Sequence, residues 1–497
     1  MKRYILIAIV LLGTALMPGC KKYLQYTPAD TRFLIDMPSI KQTLASYLYN
    51  FQRNAKFVGD APGPWLRDCY YSSTYFEYAD VWSFSNLDAK STALTENEKR
   101  LAGRIKLNNP EWASHYAIVG FMNLIIAEGL KTKDNEEMKN YVVGEALIHR
   151  AFSLFKLLQY YSPVDDPALG IPINTSIDTN YKDLDLSRKS QKEVFDRIIK
   201  DLTDAESRIN KTLPRASYNI LYNYDVIYRL LAQTYHWYAS TTGSNEYWAQ
   251  AAKYADLAIN DQKAAAGALP QDLATLKRLC FTASFVTGTI STEGYPESIF
   301  NMNEMSTEFS INYGYKFDLW NSLYKDNDLR KRAWFLASNK QTTPIADLTP
   351  TDLNPVANKL ASLSIYRKFP AFRLSEQYLI WIEALAHTDF DKAKTVLKTW
   401  QSRRYSGNAS DYYTPGSVHD LVNEVLKERK REFILEGDMI WLDMKRTHTS
   451  ETRVVQGKQF ELVGNDWKYQ FMIPASETEK NPGIKQNPGW SDVIVIP

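Results

Sequence analysis

Four glutamates are spaced as if for acid–base chemistry: Glu424, Glu428, Glu432 and Glu436, each four positions from the next. On a helix that spacing stacks them on one face, with Lys427, Arg429, Lys430 and Arg431 interleaved to offset their repulsion. A hydrolytic pair of carboxyls must flank one bond at roughly 5–10 Å. A ladder neutralised by its own basic neighbours reads instead as structural. Six histidines (His115, His149, His236, His387, His419 and His448) are scattered, no two of them three or four apart, so there is no helical zinc pair. Nor is there a Gly-x-Ser-x-Gly elbow, a Gly-x-x-x-x-Gly-Lys phosphate loop or a Gly-x-Gly-x-x-Gly dinucleotide turn. The sequence calls for no catalytic residue, no metal and no cofactor.

Aromatic side chains offer a different chemistry. With 12 Trp, 32 Tyr and 21 Phe, they make up 13% of the 497 residues. Tyrosine and tryptophan combine an apolar ring with a polar tip, which suits wet interfaces as well as core edges. The rings crowd into two stretches without helical or alternating periodicity. One, about 63–87, holds Trp65, Tyr70, Tyr71, Tyr75, Phe76, Tyr78, Trp82 and Phe84. The other, about 281–334, holds Tyr295, Phe300, Phe309, Tyr313, Tyr315, Phe317, Trp320, Tyr324 and Trp334. Long ordered loops inside a helical scaffold are usually functional. The tail beyond Arg446 is a third irregular stretch.

The elements that must carry these loops are helices. Asn109-Pro110-Glu111 is a cap-and-start signal for a helix running to about residue 130. Leu147, Ala151, Leu154, Phe155 and Leu158 recur at three- and four-residue spacing over 141–161, which ends before Pro163. Ser190 and Glu193 form a capping box for the helix bearing Val194, Phe195, Ile198, Ile199 and Leu202. Helices are expected over 221–238 and 248–259, separated by Thr242-Gly243-Ser244, then over 374–386, 391–403 and 418–435. Ala232 and Tyr235, then Ala251, Ala252, Ala255 and Ala258, then Ala384 and Ala393 are placed like the small residues of tetratricopeptide hairpins. No strict 34-residue period is present, so three or four degenerate units, or generic hairpin packing, both fit. The fold class is mainly α: a tetratricopeptide-like helical-hairpin scaffold carrying long irregular loops, with minor β.

Residues 1–19 read as an address. Lys2 and Arg3 precede an apolar run to Met17, too short for the roughly 20 residues of a spanning helix. The run ends at Met17-Pro18-Gly19-Cys20, which resembles a bacterial lipobox with Cys20 as the lipidated terminus. The chain has 59 Lys and Arg against 57 Asp and Glu; without Lys2 and Arg3 the remainder balances at 57 of each. Such a balance gives no electrostatic footprint for nucleic acid. Cys69 and Cys280 would face an oxidising compartment, and the sequence leaves open whether they pair.

Several segments together resemble the SusD/RagB family of outer-membrane nutrient-binding lipoproteins. They begin with Cys20-Lys-Lys-Tyr23-Leu24-Gln-Tyr-Thr-Pro28 and continue with Glu145-Ala-Leu-Ile-His-Arg150-Ala151-Phe152, Tyr160-Tyr161 and Gly170-Ile-Pro172. Glu297-Ser-Ile299-Phe300, Asp328-Leu-Arg330, and Arg373-Leu374-Ser-Glu376 with Glu383-Ala384 follow. Glu428-Arg-Lys-Arg431-Glu432-Phe433, Glu436-Gly437 and Trp441-x-Asp443-x-x-Arg446 come next, then Ile473-Pro474, Asn481-Pro482 and Asn487-Pro488-Gly489. The arginine that the family carries shortly after Glu-Gly is replaced here by Asp438-Met439-Ile440.

The resemblance implies a non-enzymatic, lipid-anchored protein on the outer surface of the outer membrane of a Bacteroidetes-type bacterium. Such proteins serve polysaccharide utilisation: they capture glycans, or in some members peptides, and pass them to a SusC-like TonB-dependent transporter. The membrane is touched through the lipid anchor only. The expected organisation is a signal peptide over 1–19 and a single domain over 20–497. The family's ligand residues lie outside its shared motifs, so candidates come from the aromatic segments. Trp65, Tyr71, Trp82 and Trp320 are candidate ring platforms; Asp68, Asn86 and Asn312 are candidate polar contacts; Tyr313 and Tyr315 are further candidates. Two alternatives carry different expectations. A surface glycoside hydrolase would release reducing sugar, and a tetratricopeptide-type interaction scaffold would bind protein rather than sugar.

Overall fold

The computed structural model describes residues 34, 36–53, 110–177, 184–209, 224–260, 300–303, 321–333, 335–337, 355–357, 368–433, 439–455, 458–481 and 483–490. These are mainly helical. α1 (Met37–Arg53), α2 (Pro110–Lys131) and α3 (Glu136–Tyr161) precede α4 (Gln191–Arg208), α5 (Tyr224–Thr242) and α6 (Asn245–Asn260). After the short α7 (Leu329–Ala333) come α8 (Leu374–Thr388), α9 (Phe390–Ser402), α10 (Val418–Glu432), α11 (Met439–Arg446) and α12 (Ala475–Lys480). The described strands form three antiparallel pairs: β1 (Phe300–Asn303) with β4 (Lys368–Ala371), β2 (Phe335–Ala337) with β3 (Pro355–Ala357), and β5 (Glu451–Val455) with β6 (Lys458–Leu462). Part of the 281–334 stretch is therefore regular structure, made so by pairing with a distant strand rather than by any local period.

Local signals set the helix ends. The Ser190 amide donates to Glu193 Oε2 at 2.8 Å, and the Glu193 amide donates to Ser190 Oγ at 3.2 Å, closing the box that starts α4. Gly243, at φ 70°, supplies the left-handed turn between α5 and α6. α10 stops at Glu432, short of the expected 435. There Phe433 caps the helix with its amide on the Arg429 carbonyl, and its ring lies under the Arg429 and Arg373 guanidinium groups at 5.2 and 5.7 Å.

Successive helices pack on one another: α2 on α3, α3 on α4, α4 on α5, α5 on α6, α6 on α8 and α8 on α9. Ala232, Ala251, Ala255, Ala258, Ala384 and Ala393 are all buried, consistent with the close helix approach expected of such hairpins. α2 is the one described helix long and apolar enough to cross a membrane by length and composition, yet it packs between α1 and α3. Its Ile118, Met122 and Ile125 are fully enclosed, so it is a core helix of this fold.

Every residue of α3 from Tyr141 to Tyr161 is buried, so its polar side chains must find partners inside. Arg150 does so twice over. Its Nε and Nη2 donate to Asp201 Oδ2 and Oδ1 at 2.8 and 2.7 Å, and its Nη1 donates to Asn123 Oδ1 at 2.9 Å. One guanidinium thus ties α2, α3 and α4 together. The tail is fastened to the same helix by side chains. Asn487 Nδ2 donates to the Tyr161 and Phe471 carbonyls at 2.8 and 2.7 Å, and Arg188 Nη1 donates to Asn487 Oδ1 at 2.8 Å.

Candidate functional site

The glutamate ladder of α10 is structural, as its charge pattern implies, but it is an enclosed ion network rather than a surface stripe. Glu428 and Glu432 are fully buried and Glu424 nearly so. Among the interleaved basic residues, Arg431 bonds the ladder, through Nη1 to Glu428 Oε1 at 2.7 Å and Glu424 Oε1 at 2.9 Å. The other partners come from afar. Arg330 Nη2 lies 2.8 Å from Glu428 Oε2, and Arg373 Nη2 donates to Glu432 Oε1 at 2.6 Å. Arg404 grips Glu432 with Nε and Nη2 at 2.8 and 3.0 Å. Trp400 Nε1 and the Tyr405 hydroxyl complete the shell of Glu428. Burial pushes the Glu428 carboxyl up, but Arg330 and Arg431 more than reverse this and hold it at about 2. A carboxyl so placed is closed to substrate and cannot serve as a general acid near neutral pH.

A second network lies between α5 and α8. Arg446 of α11 donates from Nη1 and Nη2 to Glu383 Oε1 and Oε2 at 2.6 and 2.9 Å, and from Nη1 to Ser240 Oγ at 3.0 Å. His236 Nε2 sits 2.9 Å from Glu383 Oε2. Asp443 accepts from Arg446 Nε at 2.9 Å and from Arg429 Nε at 2.6 Å. Burial lowers the His236 imidazole to about 4 despite the carboxylate beside it. The same Glu383 is held well below the ordinary glutamate value, because Arg446 and His236 outweigh its burial. Arg446 of α11 therefore bridges Ser240 of α5 and Glu383 of α8, while α11 itself packs on α5 and α10. Arg330, Arg373, Arg404 and Glu383 as partners were invisible to a search for local spacing. Three of these four stand inside the short motifs quoted above, which converge in space.

The candidate ligand residues Trp65, Asp68, Tyr71, Trp82, Asn86, Asn312, Tyr313, Tyr315 and Trp320 lie outside the described residues, as do Cys20, Cys69 and Cys280. The elements that flank them are described. α1 ends at Arg53, where the first aromatic stretch departs, and α2 receives it at Pro110. β1, ending at Asn303, lies within the second stretch, and α1 packs against it. On the far side, Tyr324 is not a surface ring: it is fully buried and donates to the Arg431 carbonyl at 2.9 Å. The helical rings are packing as expected, with Phe195 stacked on Tyr238 at 4.1 Å and Tyr235 on Tyr254 at 5.7 Å. Among the described residues no group of three or more His, Cys, Asp or Glu side chains could hold a metal ion.

A helical-hairpin scaffold whose α5 and α8 are bridged by Arg446 of α11, and whose long connecting segments depart from packed helices, defines a binding-scaffold class of protein. The chain belongs to the SusD family, whose model matches residues 176–490. A second family model, described as starch-binding and associating with the outer membrane, matches residues 34–235. Solved structures share the fold. A SusD superfamily protein from Bacteroides thetaiotaomicron VPI-5482 matches with a TM-score of 0.65 at 19% identity, over 91% of this chain and 100% of its own. A SusD-like carbohydrate binding protein from Bacteroides vulgatus ATCC 8482 matches with a TM-score of 0.64 at 18% identity, over 90% and 97%. A third, a SusD superfamily protein from Parabacteroides distasonis ATCC 8503, gives 0.62 at 17%, over 90% and 99%. At these identities the likeness is one of fold. No curated protein matches the chain by sequence.

Proposed function

We propose that this protein is a surface lipoprotein that binds a nutrient glycan through its two aromatic segments and passes it to a TonB-dependent outer-membrane transporter, without catalysis. The observation that carries the reading is the Arg446 bridge, by which the chain's own α11 takes up the polar groups between α5 and α8. In a tetratricopeptide-type interaction scaffold, the groove between successive hairpins takes the partner's peptide. Here Arg446 of α11 already engages Glu383 of α8 and Ser240 of α5. Recognition then falls to the loops, where aromatic rings are concentrated and, over 63–87, outnumber the charged residues by eight to four. The contact of α1 with β1 supports a shared site, because α1 precedes the first aromatic segment and β1 belongs to the second. The family model described as starch-binding and the carbohydrate binding relative from Bacteroides vulgatus support a sugar as ligand.

The hydrolase alternative gains nothing from Glu428 and Glu432, whose carboxylates are enclosed and saturated by arginines. The lipid anchor at Cys20, the outward-facing location and the single domain over 20–497 belong to the same proposal. The deciding experiment is a glycan-array screen of the mature protein, with reducing-sugar release measured on every hit. Saturable binding of a neutral glycan without sugar release is the expected result. Binding of peptides alone, or sugar release abolished by one glutamate substitution, would overturn the reading.

A further inference from the structure

Phe195 of α4, Tyr235 and Tyr238 of α5, and Tyr247 and Tyr254 of α6 meet ring against ring. Their spacing puts them on facing sides: Tyr235 and Tyr238 are one turn apart on α5, and Tyr247 and Tyr254 are two turns apart on α6. Tyr238 stacks on Phe195 at 4.1 Å, and Tyr247 lies tilted at 5.2 Å from each of them. Tyr235 stacks on Tyr254 at 5.7 Å, with the planes 3° apart. Packing explains the rings. Phenylalanine would pack as well, as Phe195 does, so packing does not explain four hydroxyls.

Elsewhere in the fold, enclosed tyrosine hydroxyls find protein acceptors. Tyr116 donates to the Pro172 carbonyl at 2.8 Å, Tyr324 to the Arg431 carbonyl at 2.9 Å, Tyr405 to Glu428 and Tyr469 to the Thr449 carbonyl. In the cluster, none of the four hydroxyls bonds a protein group among the described residues. Tyr238 and Tyr254 enclose their rings, at 6% and 7% exposure, without sealing their hydroxyls from solvent. Tyr235 and Tyr247 are half-buried. Burial pushes the Tyr235 and Tyr238 hydroxyls up to about 12, so both remain donors at neutral pH.

Charges border the rings without saturating them. Lys253 lies over the Tyr254 ring at 4.8 Å, and Lys192 holds Asp196 at 2.5 Å. Glu246 acts on Tyr235 and Glu206 on Tyr254, and neither carboxylate forms an ion pair among the described residues. Two bases against three acids disfavour an anionic ligand. Half-exposed rings suit the C–H face of a sugar, while outward hydroxyls and a free carboxylate suit its hydroxyl groups.

We propose that this face of α4, α5 and α6 is a second carbohydrate subsite, which takes a neutral glycan through the Tyr235 and Tyr247 rings, the four tyrosine hydroxyls and Glu246. The inference rests on the reading that the protein's ligand is a glycan. Two subsites on one polymer raise avidity above either affinity, because the second contact forms at high local concentration.

The test is fluorine NMR of the mature protein carrying 3-fluorotyrosine, titrated with maltohexaose, cellohexaose, xylohexaose and mannohexaose. Each of the four signals is assigned by its loss in Tyr235→Phe, Tyr238→Phe, Tyr247→Phe or Tyr254→Phe. At least one hexasaccharide should shift the Tyr235 and Tyr247 signals saturably. The double variant Tyr235→Phe/Tyr247→Phe, followed through the Tyr238 signal, should bind that sugar about tenfold more weakly. Its melting temperature should hold, because no bond within the protein is lost. A lower melting temperature with affinity intact would make the hydroxyls structural and overturn the proposal. Signals unmoved by all four sugars would overturn it as well. Calorimetry on the same samples separates the subsite from the functional reading. Binding heat with the four signals unmoved means that the glycan binds elsewhere, so the subsite fails and the function stands. Neither heat nor shift would overturn both.

Discussion

Arg404 and Glu432, both sealed from solvent, meet side-on, with Nε to Oε2 at 2.8 Å and Nη2 to Oε1 at 3.0 Å. That two-point contact fixes the carboxylate plane. Oε1 can then also receive Arg373 at 2.6 Å, and Oε2 lies 3.3 Å from Arg330. A single carboxylate on α10 thus joins the N-terminal cap of α8, the turn after α9 and α7.

Removing that charge leaves three guanidinium groups buried around a neutral side chain. Breaking a buried pair on one side costs about 3–5 kcal/mol, because the uncompensated partner stays inside. Glu432→Gln should therefore shift the urea midpoint strongly at neutral pH. Lys192→Ala, which breaks the exposed Lys192–Asp196 pair on α4, should change stability by less than about 0.5 kcal/mol. Comparable effects of the two substitutions would deny the ladder its structural role.

Acid should weaken the fold in two stages. Burial lowers the His236 imidazole to about 4 and lowers His149 and the more exposed His387 in the same direction. The fold therefore takes up these protons less readily than the unfolded chain. The unfolded chain takes up their protons from about pH 6.5 downward. Over that window it binds more protons than the fold, and stability falls as pH drops. Glu428, held at about 2, adds a second loss below about pH 4.3, where the unfolded carboxylates protonate first. Denaturant titrations at about pH 7, 5.5 and 4.5 should show a falling midpoint, with the upper stage shallower in His236→Gln. A midpoint indifferent to pH over this range would contradict a buried, neutral His236.

Two glycines of positive φ should respond unequally to alanine. Gly243 has φ 70° with nothing within 4 Å of an added Cβ, so Gly243→Ala meets only backbone strain of about 1–2 kcal/mol. Gly489 has φ 83°, and its Cβ would lie 2.3 Å from the Trp467 Cγ. Trp467 in turn packs edge-on against Trp490 at 4.7 Å. Gly489→Ala should lower the melting temperature clearly more than Gly243→Ala. An equal fall would mean that Trp467 yields freely.

Helix positions were legible from local signals because those signals are themselves physical contacts. Ser190 and Glu193 bond each other as spaced, and Gly243 turns as glycine can. What local spacing could not reveal was partnership across the chain. The glutamates of α10 looked balanced by their neighbours, yet their enclosing charges arrive from Arg330, Arg373 and Arg404. β1 is four residues long and exists through β4, some 65 positions further on, so no window of sequence around Phe300 could specify it. Tyr324 was grouped with the loop aromatics by proximity in sequence, whereas its hydroxyl belongs to the ion network. The aromatic candidates are legible by composition alone, because no local period ties Trp65, Trp82 or Trp320 to a helix or strand.

Calorimetry of the folded mature protein with an array-selected neutral oligosaccharide tests the central claim most directly, using wild type and the double variant Trp82→Ala/Trp320→Ala. The account predicts saturable binding by wild type and at least a hundredfold loss, about 2.7 kcal/mol, in the double variant with its melting temperature unchanged. Equal affinities in the two proteins would contradict it.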